Sequence, residues 1–256
     1  MKDLFSIQGK TALVTGGSSG IGYMIARGFV EAGAKVYIAS RKQDVCEEVA
    51  AELSEVGECI PLAADLQLDS ECVRLSGEIK SREGALDILV NNAGANWAAP
   101  MSEFPSSAWD KVLGLNVKAV FELTRELVPA LEAAGTSEDP ARVINIGSID
   151  GLTPPLLDTF SYSASKAAVH HLTRVLAKKL AEKNITVNAV APGPFQSRMM
   201  KATLENFGES IKDSTPLGRI GRPEDMAGIA IYLASRAGAY VTGAVIPVDG
   251  GNSTTT

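Results

Sequence analysis

Tyr162 and Lys166 stand four residues apart at the start of a predicted helix, a spacing that places both side chains on one helix face. A tyrosine can donate a proton to a carbonyl oxygen, but its ordinary pKa of about 10 makes it a poor proton shuttle at neutral pH. A neighbouring ammonium would lower that pKa by roughly 2 to 3 units, or about 3 to 4 kcal/mol. The pair predicts proton transfer at a carbonyl or an alcohol, although an ordinary helix-surface pair has the same spacing.

Two further polar residues extend this candidate centre. Ser148 follows the predicted strand 142–147, where its hydroxyl would hydrogen-bond a substrate oxygen and stabilise developing negative charge. Asn116 lies in the long predicted helix 107–131 and would hold a water that passes protons onward. Each residue is a weak signal alone, and the prediction depends on their meeting at one place.

A glycine-rich run at residues 15–22 follows the first predicted strand and opens the first predicted helix. Glycines let a backbone approach a pyrophosphate, and the helix amides face its charge. The spacing differs from the G-x-G-x-x-G pattern, and many tight turns also need glycine. In this context the run predicts a dinucleotide site, and its candidate contacts are Gly16, Ser18, Ser19, Gly20 and Ile21.

The second predicted strand ends at Ser40, and Arg41 comes next. This is the position at which a residue reads the ribose of a bound dinucleotide. A guanidinium beside a small serine suits a 2′-phosphate, whereas an acid would favour a free 2′-hydroxyl. We therefore predict NADP(H) as the cofactor, and Lys42 adds positive charge nearby. The alternative is that Arg41 only starts the next helix on a solvated face.

Two other strand ends belong to the same predicted edge. Asp65 and Leu66 end the third strand, and Asn92, Ala93 and Gly94 follow the fourth. Ligands bind at the carboxyl edge in parallel folds of this kind, so these residues are further cofactor candidates. The alternatives are that Asp65 only caps the following helix and that the residues after the fourth strand form an ordinary turn.

Short β-branched runs alternate with helical patterns along the chain, which predicts βαβ units in a parallel sheet. The predicted strands are residues 11–14, 35–39, 58–63, 86–90, 142–147, 185–190 and 244–248. Among the predicted helices are residues 22–31, 44–55 and 107–131. The fold class is therefore α/β, with a doubly wound seven-stranded parallel sheet in a single domain over residues 1–256. Residues 194–216 are the least regular stretch and are predicted to form a mobile substrate lid.

The composition and charge of the chain argue against several classes of partner. The 256-residue chain has a net charge of −6, which argues against a nucleic-acid partner. Neither a signal peptide nor a membrane span is predicted, so we expect a cytoplasmic protein. The three cysteines are scattered, and His170 and His171 are adjacent and face different directions, so no metal site is predicted.

These motifs, in this order, resemble the short-chain dehydrogenase/reductase family over about residues 8–251. The resemblance implies a Rossmann fold, a nicotinamide cofactor and a catalytic tetrad on Asn116, Ser148, Tyr162 and Lys166. It also implies cofactor contacts at Pro192 and Gly193 and in the segment after them, at Phe195 and Ser197. The family usually has a β-branched residue and a threonine in that segment, where this chain has residues 194–197, and Ser197 keeps a hydroxyl.

The interval from Ser148 to Tyr162 is one residue longer than in most 3-oxoacyl carrier-protein reductases. In this interval and in residues 194–197, the chain is similar to the rhamnolipid-associated 3-oxoacyl reductase subgroup. The resemblance implies a homotetramer, and the apolar stretch 226–248 favours assembly unless it is buried within one chain.

The expected activity is NADPH-dependent reduction of a small-molecule ketone or a 3-oxoacyl thioester. The alternatives are a cofactor-binding regulator without turnover and a dehydrogenase of a small polyol, sugar or sterol alcohol. Apolar residues predicted around the substrate are Trp97, Leu156, Leu157, Phe160, Phe195 and Met199.

A carrier-protein partner should meet a basic surface. The surface assigned to that role is mainly acidic, through Glu126, Glu132, Glu138 and Asp139. The basic residues near it are Arg125 and Arg142, with Lys178, Lys179 and Lys183 on a later helix. Free or coenzyme A-linked ketones are therefore expected to be reduced at least as well as carrier-protein thioesters.

Overall fold

Seven parallel strands form the centre of the protein, in the order β3-β2-β1-β4-β5-β6-β7. The computed structural model describes residues 3–197 and 200–255, and in residues 201–207 the backbone alone. The strands are β1 (Thr11–Thr15), β2 (Lys35–Ser40), β3 (Glu58–Ala63), β4 (Ile88–Asn91), β5 (Ala141–Ile146), β6 (Ile185–Pro192) and β7 (Val245–Val248). All seven predicted strands are confirmed, with ends that differ by one or two residues. The strand order reverses beside β1, which places a ligand crevice at the carboxyl ends of β1 and β4.

Helices connect these strands and cover both faces of the sheet. They are α1 (Gly20–Glu31), α2 (Gln43–Leu53), α3 (Asp69–Glu83), α4 (Ser106–Leu113), α5 (Ala119–Ala134), α6 (Phe160–Leu180), α7 (Lys201–Ser214) and α8 (Pro223–Ala234). The single helix predicted over residues 107–131 is interrupted by a π-helical turn, Gly114–Lys118, between α4 and α5. The predicted lid, residues 194–216, is less irregular than expected because it contains α7.

Two hydrophobic clusters pack on opposite faces of the sheet. Ala12 and Val14 of β1 contact the cluster that includes α1, α2 and α8, whereas Leu13 contacts the cluster that includes α3, α5 and α6. Such two-sided burial is what makes parallel strands continuous apolar runs. The sheet is therefore a rigid platform, and the residues at its carboxyl edge are held in fixed positions.

The charged residues on which the carrier-protein prediction rests lie away from the carboxyl edge of the sheet. Lys183 lies two residues before β6 and pairs with Glu132 at 2.6 Å, and Asp139 lies two residues before β5 and accepts from Lys10 at 2.8 Å. These pairs are at the amino edge of the sheet. Arg142, counted as a surface charge, is 1% exposed and bound to Asp139. This charged surface does not border the crevice within the chain, so the premise from which free or coenzyme A-linked ketones were expected to be reduced at least as well is wrong.

Among the described residues, no helix combines the length and the apolarity that crossing a bilayer requires.

Candidate active site

The glycine-rich turn between β1 and α1 leaves its backbone open to a ligand. Gly16 and Gly20 have φ of 65° and 56°, a region that glycine adopts without strain. A Cβ on Gly22 would lie 2.3 Å from the carbonyl oxygen of Gly16, so a side chain cannot be accommodated there. Helix α1 begins at Gly20, so its first amide groups have no partner within the helix and are free to meet an anion.

The turn is fixed to the end of β4 by hydrogen bonds. The Oγ1 of Thr15 accepts from the backbone N–H groups of Asn92 and Ala93 at 2.9 and 3.0 Å. The side-chain amide of Asn92 donates to the carbonyl oxygen of Thr15 at 2.9 Å. Asn92 therefore acts as a clamp between two strand ends.

A cleft of about 670 Å³ runs along the carboxyl edge of the sheet and brings most of the predicted residues together. Those that line it are Gly16, Ser19, Gly20, Ile21, Arg41, Asn92, Ala93, Gly94, Ser148, Tyr162, Lys166, Pro192, Gly193, Phe195 and Ser197. Four predicted residues do not line it: Ser18, Asp65, Leu66 and Asn116. One cleft thus joins the glycine-rich turn to the tyrosine and lysine.

The contacts of Ser197 and Asp65 show the difference between a predicted residue that lines the cleft and one that does not. A Cβ on Gly20 would lie 3.1 Å from the Cβ of Ser197, so Ser197 lies beside the glycine-rich turn. The carboxylate of Asp65 instead accepts from the backbone N–H of Gln67 at 3.2 Å and stabilises its own turn. A cofactor contact of Ser197 fits this geometry directly, whereas Asp65 is a candidate only by its position at the edge.

Ser148, Tyr162 and Lys166 line the part of the cleft where β5 ends and α6 begins. The Lys166 ammonium lies 5.4 Å from the centre of the Tyr162 ring and donates to the carbonyl oxygen of Ile146 at 2.7 Å. The Oγ of Ser148 accepts from the backbone N–H of Asp150 at 3.1 Å. Because β5 and α6 are both packed on the core, these side chains are preorganised.

Burial governs the protonation of this group. It raises the pKa of Tyr162 to about 12, the negative charge of Asp150 adds to that rise, and a hydrogen bond with Ser148 opposes it. Burial also lowers the pKa of Lys166 to about 8, against the opposing effect of Asp150. The phenol pKa is therefore raised in this structure and not lowered as the sequence predicts, since loss of solvation is the largest effect on it.

Asn116 lies behind the cleft, in the π-helical turn, and is buried. Its Oδ1 accepts from the backbone N–H of Ala95 at 2.8 Å, and its Nδ2 donates to the carbonyl oxygen of Ala95 and to the Oγ of Ser165, both at 2.9 Å. The side chain thus ties the loop after β4 to α6. Both of its donor hydrogens are used, so the structure gives this side chain a positioning role.

The predicted apolar substrate residues do not share one position. Trp97 and Leu157 line the cleft, whereas Leu156 is 92% exposed and does not line it. Phe160 packs edge-on against Phe104, 5.4 Å between ring centres, and does not line the cleft. Phe195 touches the cleft but is buried in the core behind it. Met199 lies outside the described residues.

Two residues near the centre, Asp150 and His170, were not among the predicted site residues. Asp150 lines the cleft two positions after Ser148, and an acid so close to the predicted catalytic serine was an available signal. His170 follows Lys166 by one helical turn and is 3% exposed, while His171 faces solvent as the spacing predicts. The His170 ring fills the space beside Gly147, where an added Cβ would lie 2.1 Å from its Nε2. Its burial could not be predicted from spacing alone.

The chain is similar to known proteins over nearly its whole length. A profile described as short chain dehydrogenase matches residues 10–207. A rhamnolipids biosynthesis 3-oxoacyl-[acyl-carrier-protein] reductase of Pseudomonas aeruginosa is 48% identical over 253 residues, covering 98% of this chain and 99% of that protein. A 5-keto-D-gluconate 5-reductase of Escherichia coli is 34% identical, covering 98% of each.

A solved structure shares the fold closely. The Pseudomonas aeruginosa RhlG/NADP active-site complex superposes with a TM-score of 0.95 at 47% identity, and the match covers 99% of this chain and 100% of that one. The glycine-rich turn, the edge of the sheet and the tyrosine–lysine pair therefore occur in a chain whose whole fold has a known counterpart.

Proposed function

We propose that this chain, which belongs to the short-chain dehydrogenase/reductase family, is an oxidoreductase that reduces ketones to secondary alcohols with NADPH. The observation that carries the proposal is a single cleft lined by Ser148, Tyr162, Lys166 and the glycine-rich turn. A hydride donor bound along that cleft and the phenol of Tyr162 would both reach the same carbonyl group.

NADP(H) fits the residues at the cofactor end of the cleft. The glycine-rich turn leaves room for a pyrophosphate, and Arg41 lines the cleft at the end of β2. A guanidinium there favours a 2′-phosphate through charge-assisted hydrogen bonds. The Pseudomonas aeruginosa structure with the same fold is an NADP complex, which supports the same cofactor in this chain.

The reduction follows from the roles of three side chains. When bound along the cleft, NADPH would supply the hydride for the carbonyl carbon. Ser148 donates a hydrogen bond to the carbonyl oxygen, and Tyr162 transfers its phenolic proton to that oxygen to complete the alcohol. The raised pKa of Tyr162 keeps the proton on the phenol at neutral pH, as a donor requires. Lys166 stabilises the phenolate that is left until solvent restores the proton.

The substrate is proposed to be a small ketone or a 3-oxoacyl thioester. Trp97 and Leu157 give one side of the cleft an apolar lining. The relative with 48% identity is a 3-oxoacyl-[acyl-carrier-protein] reductase, which supports the thioester. Whether the acyl group arrives on coenzyme A or on a carrier protein is tested by comparing kcat/KM for the same 3-oxoacyl chain on both.

Two alternatives have different support. A dehydrogenase of a polyol, sugar or sterol alcohol is favoured by relatives that include a 5-keto-D-gluconate 5-reductase and a 3alpha-hydroxysteroid dehydrogenase. A cofactor-binding regulator without turnover would need the same nucleotide end of the cleft but not the buried group of Ser148, Tyr162 and Lys166. Tight NADPH binding with no turnover on a broad carbonyl panel would favour the regulator.

A cytoplasmic location and a homotetramer are part of the same proposal. The apolar face of α8 is buried within the chain, through Met226, Ala230 and Leu233, so it no longer supports assembly. The remaining support is β7, a half-exposed strand at the sheet edge. A monomeric mass by light scattering would reject the tetramer.

The experiment that tests the proposed activity follows NADPH oxidation with a panel of ketones, hydroxy ketones and 3-oxoacyl thioesters. We expect turnover with at least one class. A folded protein that binds NADPH and turns over none of them would reject the proposed activity.

A further inference from the structure

Asp150 lies in the catalytic half of the cleft on a short helical turn, Ile149–Gly151, that directly follows Ser148. Its backbone N–H donates to the Oγ of Ser148 at 3.1 Å, which fixes the turn relative to the serine. The acid lines the same cleft as Ser148, Tyr162 and Lys166. Its side chain is therefore held beside the reacting groups by the fold itself.

The carboxyl group has no hydrogen-bond donor among the described residues, although it is half-buried. Burial raises the pKa of Asp150, and the Lys166 ammonium opposes that rise. A carboxyl group removed from water is costly unless a donor meets it. The backbone N–H of Asp150 makes the hydrogen bond that holds the turn, and any residue except proline would supply it. The side chain itself is thus available to a ligand.

The charged and titratable groups around Asp150 are few. Helix α6, which packs against this turn, presents Tyr162, Lys166 and His170, and burial lowers the pKa of His170 to about 4, so it is neutral. Strand β6 also packs here and has no titratable residue. Lys166 already supplies a positive charge that faces the Asp150 carboxylate, so a cationic substrate group is not needed to balance it. A hydroxyl suits the site better, because it can donate to a carboxylate and can also accept from the protonated acid.

We propose that Asp150 is a specificity-determining residue that accepts a hydrogen bond from a substrate hydroxyl on a carbon next to the carbonyl. The preferred substrates are then hydroxylated ketones, in preference to ketones without a donor at that carbon. This inference rests on the proposed reductase activity and names the substrate class of the same site.

The test uses two ketones that differ only in the ability to donate: 1-hydroxy-2-butanone and 1-methoxy-2-butanone. The oxygen substituent activates both carbonyls similarly, so the ratio of their kcat/KM values with NADPH reports the hydrogen bond. We expect the ratio in the wild type to exceed that in Asp150→Ala by about ten- to hundredfold, the range of a hydrogen bond to a charged group. Asp150→Asn, whose amide oxygen still accepts, should give an intermediate ratio.

The ratio of the two kcat/KM values also separates specificity from an electrostatic effect on Tyr162, since that effect would change the rates with both substrates equally. Asp158→Asn is the matched control, because this exposed acid does not line the cleft, and its ratio should equal that of the wild type. Equal ratios in wild type, Asp150→Asn and Asp150→Ala would overturn the inference. So would a wild type that reduces other ketones of the panel but neither of this pair. A wild type that reduces no ketone at all would instead reject the proposed function, and the inference with it.

Discussion

Replacing the buried Arg142 with methionine should strongly destabilise the protein. The guanidinium is 1% exposed at the start of β5 and connects it to the end of α8. Its Nε donates to the carbonyl oxygen of Leu233 at 3.0 Å, and its Nη2 donates to that of Ser235 at 2.9 Å. It also donates to the carbonyl oxygen of Pro140 and to the carboxylate of Asp139.

Methionine occupies a similar volume but donates nothing, so up to four acceptors lose a partner. Asp139 is 30% exposed, keeps its ion pair with Lys10 and can turn to water, but the carbonyl groups of Leu233 and Pro140 belong to buried residues. Leaving a buried acceptor without a donor costs about 1 to 3 kcal/mol, so these two carbonyl groups together account for about 2 to 6 kcal/mol. For a chain of this length that corresponds to a fall in Tm of about 10 °C.

Thermal and urea unfolding at one protein concentration measure this loss. Arg125→Met is the matched control, because its guanidinium is 52% exposed and pairs with Glu122 and Glu126 at the surface. An exposed pair of this kind is worth less than about 1 kcal/mol. If Arg142→Met proved no more destabilising than the control, the buried network would not have the structural role assigned to it.

Three further predictions concern the cofactor and the core. Arg41→Asp should weaken NADPH binding at least about tenfold and erase or reverse the preference over NADH in fluorescence titrations; a wild type that prefers NADH would contradict the reasoning. Gly22→Ala should abolish NADPH binding because its Cβ would lie 2.3 Å from a carbonyl oxygen, whereas Gly77→Ala, with nothing within 4 Å, should bind normally. Burial lowers the pKa of His170 to about 4, so the neutral ring contributes stability that is complete above about pH 6.5 and is lost as the pH falls towards 4. The loss should be about 2 kcal/mol at pH 5 and absent in His170→Leu, while a His171→Leu control that also lost this pH dependence would refute the assignment.

The sheet could be predicted from the sequence because each strand is a short apolar run between turn signals, as in residues 58–63. The glycine-rich turn and the tyrosine–lysine pair were identifiable for a similar reason, since the spacing along the chain already fixes which groups share a turn or a helix face. Their meeting in one cleft follows from parallel strands, whose carboxyl ends share an edge.

Properties that depend on packing could not be predicted in this way. Phe160 was predicted to lie around the substrate but packs on Phe104, and Arg142 was counted as a surface charge but is buried. The direction of the Tyr162 pKa shift depends on how completely the ring loses water, which no local pattern reports. Asp150 could have been identified as a candidate from its place two positions after Ser148, but only the folded chain shows that it lines the same cleft as Tyr162.

Tyr162 is proposed to supply the proton in a reduction that uses NADPH. The most direct test measures NADPH oxidation with a ketone substrate for the wild type and Tyr162→Phe, together with the NADPH dissociation constant of each. Phenylalanine keeps the ring and removes the phenolic proton, so the account predicts a fall in kcat of at least about a hundredfold, the lower range for a general acid, with NADPH binding retained. A folded Tyr162→Phe variant that reduces the ketone at the wild-type rate would contradict it.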